Sequence, residues 1–99
     1  MDNSIRRIVY AICSDYGRRA KLLNRGRLSQ KTAETYSRMN NAIDSAVNAH
    51  ADPGERAMMM RTLQDRRGYL EGLDICGKNQ FYKRKAIIVE EIAKMLDLV

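Results

Sequence analysis

The sequence predicts an all-α fold: a small bundle of about four helices that ends in a helix-turn-helix-like unit. Apolar residues recur at three- and four-residue steps through most of the chain's 99 residues, the period of an amphipathic helix. No useful stretch alternates apolar and polar residues at period two, so no sheet is expected. Six Met, one Phe and no Trp, among many Ala, Ile and Leu, suit packed helices better than a sandwich or barrel. The length allows a single domain, 1–99, divided into an N-terminal helical hairpin (1–52) and a helix-turn-helix-like half (53–99). So small a core is thin, and a homodimer would thicken it.

The first helix is expected from about Ser4 to Leu23. Its stripe is Ile5, Ile8, Val9, Ile12, Tyr16, Ala20 and Leu23, with Asn3 or Ser4 as the cap and Gly17 as the weak point. Asn24-Arg25-Gly26-Arg27 stops it. Ser29 caps a second helix, whose stripe is Tyr36, Met39, Ile43, Ala46, Val47 and His50. In Asp52-Pro53-Gly54-Glu55, Asp52 suits a cap, Pro53 a first helical position and Glu55 a capping-box acid, so a third helix is expected from Pro53. Its Met58, Met59 and Met60 suit a gap-filling core better than a soft partner surface. Residues 69–74 look like one or two short turns, and Ile75-Cys76-Gly77 is a break. The last helix is expected from about Lys78 to Leu96, with Phe81, Ile88, Ile92, Met95, Leu96 and the stem of Lys85 on its inner stripe.

Charge is the first functional signal. The net charge is +6, and its excess sits at the two ends: seven Lys/Arg against two Asp/Glu in 1–28, five against three in 75–99. A polyanionic partner fits that distribution, as does plain solubility. Cys13 and Cys76 are far apart and stand beside apolar helical positions, which suits buried reduced thiols. Catalytic constellations are missing: no G-x-S-x-G, no Gly-rich phosphate loop, no H-E-x-x-H, no cysteine cluster, and His50 as the single histidine. Neighbouring Glu90 and Glu91 project about 100° apart on a helix, which suits a solvated face rather than an acid–base pair. Neither an enzyme nor a metal or other cofactor is expected. No apolar run approaches the ~20 residues that span a bilayer, and no cationic n-region precedes an apolar stretch at Met1-Asp2-Asn3-Ser4. A cytoplasmic bacterial setting is expected.

The second signal is the front of the last helix. With Phe81 at zero and about 100° per residue, Phe81, Lys85, Ile88 and Ile92 gather on one side. Asn79, Gln80, Tyr82 and Lys83 occupy the outward face of the first two turns. Asn and Gln can bond an adenine edge in bidentate fashion, Lys reaches guanine or phosphate, and first-turn N–H groups favour anions. Asn79, Gln80 and Lys83 are therefore candidate base readers, and Lys78, Tyr82, Arg84 and Lys85 candidate phosphate holders. Arg6, Arg7, Arg18 and Arg19 are candidate auxiliary phosphate contacts if the first helix flanks the groove.

Cys76-Gly77-Lys78-Asn79-Gln80-Phe81-Tyr82-Lys83-Arg84-Lys85 resembles the turn and recognition-helix start of helix-turn-helix regulators. With Tyr69-Leu70-Glu71-Gly72-Leu73 before it and Ile92-Ala93-Lys94-Met95-Leu96 after it, the tail is similar to small phage or prophage transcriptional regulators of the ArpU/RinA kind. Those in turn resemble the sigma-factor region that reads the −35 promoter element. In this correspondence Gly77 takes a Ser cap position, Gln80 a Thr position and Phe81 the buried anchor. The resemblance implies sequence-specific binding of double-stranded DNA, transcriptional regulation, an RNA polymerase partner and paired half-sites read by a homodimer. The rival expectation is a helical assembly or adaptor protein, of a phage packaging or structural kind. It would bind nucleic acid or protein without sequence choice, and wide apolar arcs and the Met58-Met59-Met60 cluster favour it, whereas the continuous Ala86-Ile87-Ile88-Val89 run suits either a widely buried helix or packing on a second copy.

Overall fold

The computed structural model describes residues 2–65 and 78–99, the side chains of Lys78 and Asn79 excepted. Among these residues the fold is all-α: α1 (Asn3–Ser14), α2 (Tyr16–Arg25), α3 (Gln30–His50), α4 (Arg56–Asp65) and α5 (Lys78–Met95). The expected turns at 69–74 and the break at 75–77, and with them Cys76, lie outside the described residues.

The first segment is two helices rather than one. Asp2, not Asn3 or Ser4, caps it: Ser4 N–H donates to Asp2 Oδ1 at 2.7 Å. The helix then breaks at Asp15, two residues ahead of Gly17. Asp15 carries φ −94° and ψ 3° and opens α2. A carboxylate is favoured at a helix N-terminus, and Asp15 also accepts both Nε–H and Nη2–H of Arg18 at 2.7 Å. Those bonds hold the Asp15 carboxyl below the usual carboxylate range. The chain turns here because a buried cation fills the elbow. Arg19 is 2% exposed. Its guanidinium donates to the Ile12 carbonyl, to Asn40 Oδ1 at 2.8 Å and to Asp15 at 3.5 Å. Asn40 Nδ2–H in turn donates to the Tyr16 carbonyl at 3.3 Å, and Tyr16 O–H to Asp44 at 2.8 Å. Burial lowers the Arg19 pKa from its ordinary value, and Asp15 opposes that shift.

The other boundaries follow local chemistry. Gly26 ends α2 at φ 68°, a left-handed cap that a side chain would strain. Ser29 Oγ accepts Thr32 N–H at 3.2 Å and starts α3, as expected. Arg56 donates to the Asn48 and Ala51 carbonyls at 3.2 and 3.3 Å, satisfying orphan acceptors where α3 ends. The next helix begins at Arg56 rather than Pro53, because 53–55 form a turn closed by Glu55 N–H on the Asp52 carbonyl at 2.8 Å. Beyond α5, Asp97 takes a left-handed φ of 58°, with Leu98 N–H on the Ala93 carbonyl and Asp97 N–H on the Lys94 carbonyl. This is a Schellman-type stop without glycine, and Arg38 holds its carboxylate at 2.6 Å.

One core joins both halves of the chain. Val9 and Cys13 of α1, Ile43, Ala46 and Val47 of α3, Met58, Met59 and Leu63 of α4, and Phe81, Ile88, Val89 and Ile92 of α5 form a single buried cluster. The Met residues thus fill the core, Met60 only in part. After the Asp15 elbow, α2 lies along α3, whereas α1 leans on α4 and α5. That placement seats α1 beside the front of α5. Cys13 is fully buried, and burial pushes its thiol up to about 12, so it is an inert core group.

The elbow network predicts strong coupling. Asn40→Leu leaves the Arg19 guanidinium short of its buried acceptor and lowers stability by about 3 kcal/mol. Arg19→Met costs a similar amount, and the double variant costs clearly less than the two single losses together. Urea unfolding measures this; additive losses would show that the two side chains do not depend on each other.

Candidate nucleic-acid interface

The front of α5 separates its cations into two kinds. Phe81 is fully buried, as an anchor should be, and meets Tyr82 edge-on with ring centroids 5.6 Å apart. Gln80 and Lys83 are exposed, on the side of the helix away from the core. Tyr82 is 37% exposed and turns toward α1. The backbone of α5 starts at Lys78, as expected. The side chains of the candidates Lys78 and Asn79 lie outside the described residues.

Arg84 and Lys85 do not stand where phosphate holders are expected. Arg84 Nη1–H donates to Glu55 Oε1 at 2.5 Å and to Asp52 Oδ2 at 3.2 Å. The Glu55 hydrogen bond pushes the Arg84 guanidinium further above its ordinary value. Glu55 is itself 1% exposed, and its second oxygen is buried without a hydrogen-bond partner among the described residues. A buried carboxylate so placed depends on Arg84, and the pair ties α5 to the turn before α4. Lys85 is 8% exposed, with its whole side chain drawn inward rather than its stem alone. Its Nζ lies 3.4 Å from the Thr62 carbonyl and 5.3 Å from the Tyr10 ring centroid, a cation–π distance. Both cations are engaged within the fold: Lys85 is buried toward α4 and α1, and partly exposed Arg84 is held by Asp52 and Glu55 ahead of α4.

The auxiliary arginines divide similarly. Arg6 and Arg7 are exposed on α1. Arg6 shares a groove with Tyr10 of α1 and Tyr82, Lys85, Ala86 and Val89 of α5, so the first helix does flank the front of the last one. Arg18 stays at the surface but is claimed by Asp15 and lies over the Tyr36 ring at 5.5 Å. Arg19 is the elbow cation and is closed to solvent, so it cannot reach phosphate.

Val89 joins the core, while Ile87 is 47% exposed on the outer face. Half of the apolar excess of this helix is thus buried within the chain. His50 is half-buried at the end of α3. Among the described residues, no three His, Cys, Asp or Glu gather as a metal-binding group. No described helix is long and apolar enough to cross a membrane. No protein-family model, curated protein or solved structure matches the chain.

Two residues of this region escape a reading by stripes. Glu55 looks like a capping acid, and Tyr10 looks like one more off-stripe residue of the first helix. A signal for Tyr10 exists: Arg6 and Tyr10 are four residues apart and share a helix face.

The tie at Glu55 has a measurable consequence. Arg84→Gln strands a buried carboxylate and lowers the thermal midpoint, and adding Glu55→Gln recovers part of the loss. Lys83→Gln, on the free face of the same helix, leaves the midpoint unchanged. Circular dichroism melts decide; an Arg84→Gln protein that melts with wild type would show that this pair does not hold α5.

Proposed function

We propose that the chain binds double-stranded DNA through the front of α5, as a sequence-specific regulator of the phage or prophage transcriptional kind. The observation that carries this reading is the exposure of Gln80 and Lys83 on the first turns of a helix anchored by fully buried Phe81. A helix presented this way can enter the major groove with polar tips toward base edges. Exposed Arg6 on the neighbouring α1 supports a backbone contact beside the groove. The basic excess at both ends of the chain agrees with it. Asn79, Gln80 and Lys83 are the proposed readers. Lys78, Tyr82 and Arg6 are the proposed phosphate contacts, with Arg7 as an auxiliary. Arg84 and Lys85 support the helix instead. A homodimer on paired half-sites and a contact with RNA polymerase belong to the same proposal.

The second reading is a helical assembly or adaptor protein, and exposed Ile87 favours it. An isoleucine on the outer face next to Lys83 suits a protein contact as well as a thymine methyl.

Random-sequence DNA selection separates the two. The regulator reading expects an enriched motif with wild type and a weaker, relaxed one with Asn79→Ala plus Gln80→Ala. Lys83→Ala is expected to lower affinity and to flatten the salt dependence by about one unit if it meets phosphate. A double variant that selects the same motif with the same strength would remove these side chains as readers. Equal binding of wild type to all sequences would favour the assembly reading.

A further inference from the structure

We propose that the turn between α2 and α3 is a second nucleic-acid surface, one that grips sugar-phosphate backbone without sequence choice through Lys21, Arg25, Arg27 and Lys31. Residues 16–33 hold six Lys/Arg and no Asp/Glu, and the rest of the chain holds twelve of each, so the whole net charge of +6 resides in this one segment. Arg18 and Arg19 are bound by Asp15. Lys21, Arg25, Arg27 and Lys31 are exposed, and none of the four makes a hydrogen bond or ion pair among the described residues. The acids that bound the segment are engaged elsewhere, Asp15 with those two arginines and Glu34 with Gln30 Nε2–H at 3.1 Å. Lys21 and Arg25 are four residues apart on α2 and share a face. Arg27 stands in the short connection, and Lys31 in the first turn of α3, which holds no acid. A cation there opposes the positive end of the helix dipole, and cations gathered at one turn repel one another. An anion laid across the turn offsets both costs.

The chemistry around the cations selects the anion. The other exposed residues of the turn are Asn24, Gly26, Ser29 and Gln30. They supply hydrogen bonds, but no ring to stack on a base and no apolar side chain to sink into a bilayer. Leu22, Leu23 and Leu28 are half-buried and line one small niche with Ala33. Repeating phosphates need only cations, and the planar forks of Arg25 and Arg27 match them in bidentate fashion. The surface is separate from the front of α5. Arg84 meets Asp52 beyond the end of α3, and Arg38 meets Asp97 beyond the end of α5. The last helix therefore runs antiparallel to α3, and the turn lies a helix of 21 residues, about 30 Å, from the proposed readers. Four backbone contacts weaken about a hundredfold between roughly 50 and 200 mM salt, which keeps the turn subordinate to a sequence-specific contact at ordinary ionic strength. This inference does not rest on the reading of α5, and the two fail separately.

Fluorescence anisotropy of a mixed-sequence DNA duplex with the full chain, across a low-salt series, tests it. A variant with Lys21→Gln, Arg25→Gln, Arg27→Gln and Lys31→Gln is expected to lose about three to four units of slope in log affinity against log salt. It is expected not to lower the melting midpoint, because these side chains make no hydrogen bond or ion pair within the fold. Arg27→Gln alone is expected to lose about one unit. Arg61→Gln, at an exposed cation of α4, is expected to keep the wild-type slope. Gln80→Ala plus Lys83→Ala, at the front of α5, is expected to keep the share that belongs to the turn, which separates the two surfaces. A wild-type slope in both the fourfold variant and Arg27→Gln overturns the proposal. So does loss of phosphatidylserine-vesicle binding in those variants with DNA binding intact, which assigns the turn to a membrane surface instead.

Discussion

A buried guanidinium organises this fold. Arg19 sits where α1 would otherwise run straight into α2, and the Ile12 carbonyl, Asn40 and Asp15 share its donors. Removing a charge from water is costly unless its hydrogen bonds are met, and here acceptors from three places on the chain meet them. The bend they stabilise lets α2 lie along α3 while α1 leans across to α4 and α5. A straight helix through Asp15 would not allow both contacts. The side chain thus decides which surface lies next to the last helix.

The same logic sorts the other cations. Arg56 closes the end of α3, Arg38 holds the Asp97 stop, Arg84 neutralises buried Glu55 and Lys85 packs against Tyr10. A count of the basic residues at the front of α5 therefore overstates what is free there to meet a polyanion. Gln80 and Lys83 on α5 and Arg6 and Arg7 on α1 are exposed on that side, and Lys21, Arg25, Arg27, Lys31 and Arg61 are exposed elsewhere. Exposed polar groups at the front of one helix, with a flanking arginine on the next, make a smaller patch than a count of basic residues suggests.

The helical class and most boundaries were legible because they depend on local rules. Ser29 caps α3, Gly26 ends α2, and Phe81 faces inward at the helical period. The internal polar network was harder to see, because Asn40 and Asp44, which complete it from α3, are distant in sequence from Tyr16 and Arg19. Its trace is there: Arg19 falls in step with Ile12, Tyr16 and Leu23, and Asn40 with Tyr36, Ile43 and Val47. A polar residue in an apolar register is a residue with a buried partner, and only tertiary packing names that partner. The break at Asp15 escaped for a related reason: Gly17 has the weaker helix propensity, but the Arg19 site at the break is completed by Asn40, 21 residues away. Glu55 misled because a capping acid and a buried ion pair look alike from four consecutive residues.

We propose the front of α5, with α1 at its side, as the surface that meets nucleic acid. Backbone amide NMR of the labelled chain during titration with duplex DNA tests it most directly. Shifts are expected to concentrate at residues 78–84 and at Arg6 to Tyr10, with the outer face of α3 unchanged. Shifts centred on Glu34, Ser37, Asn41 and Ser45 of α3, or none at all, would contradict it.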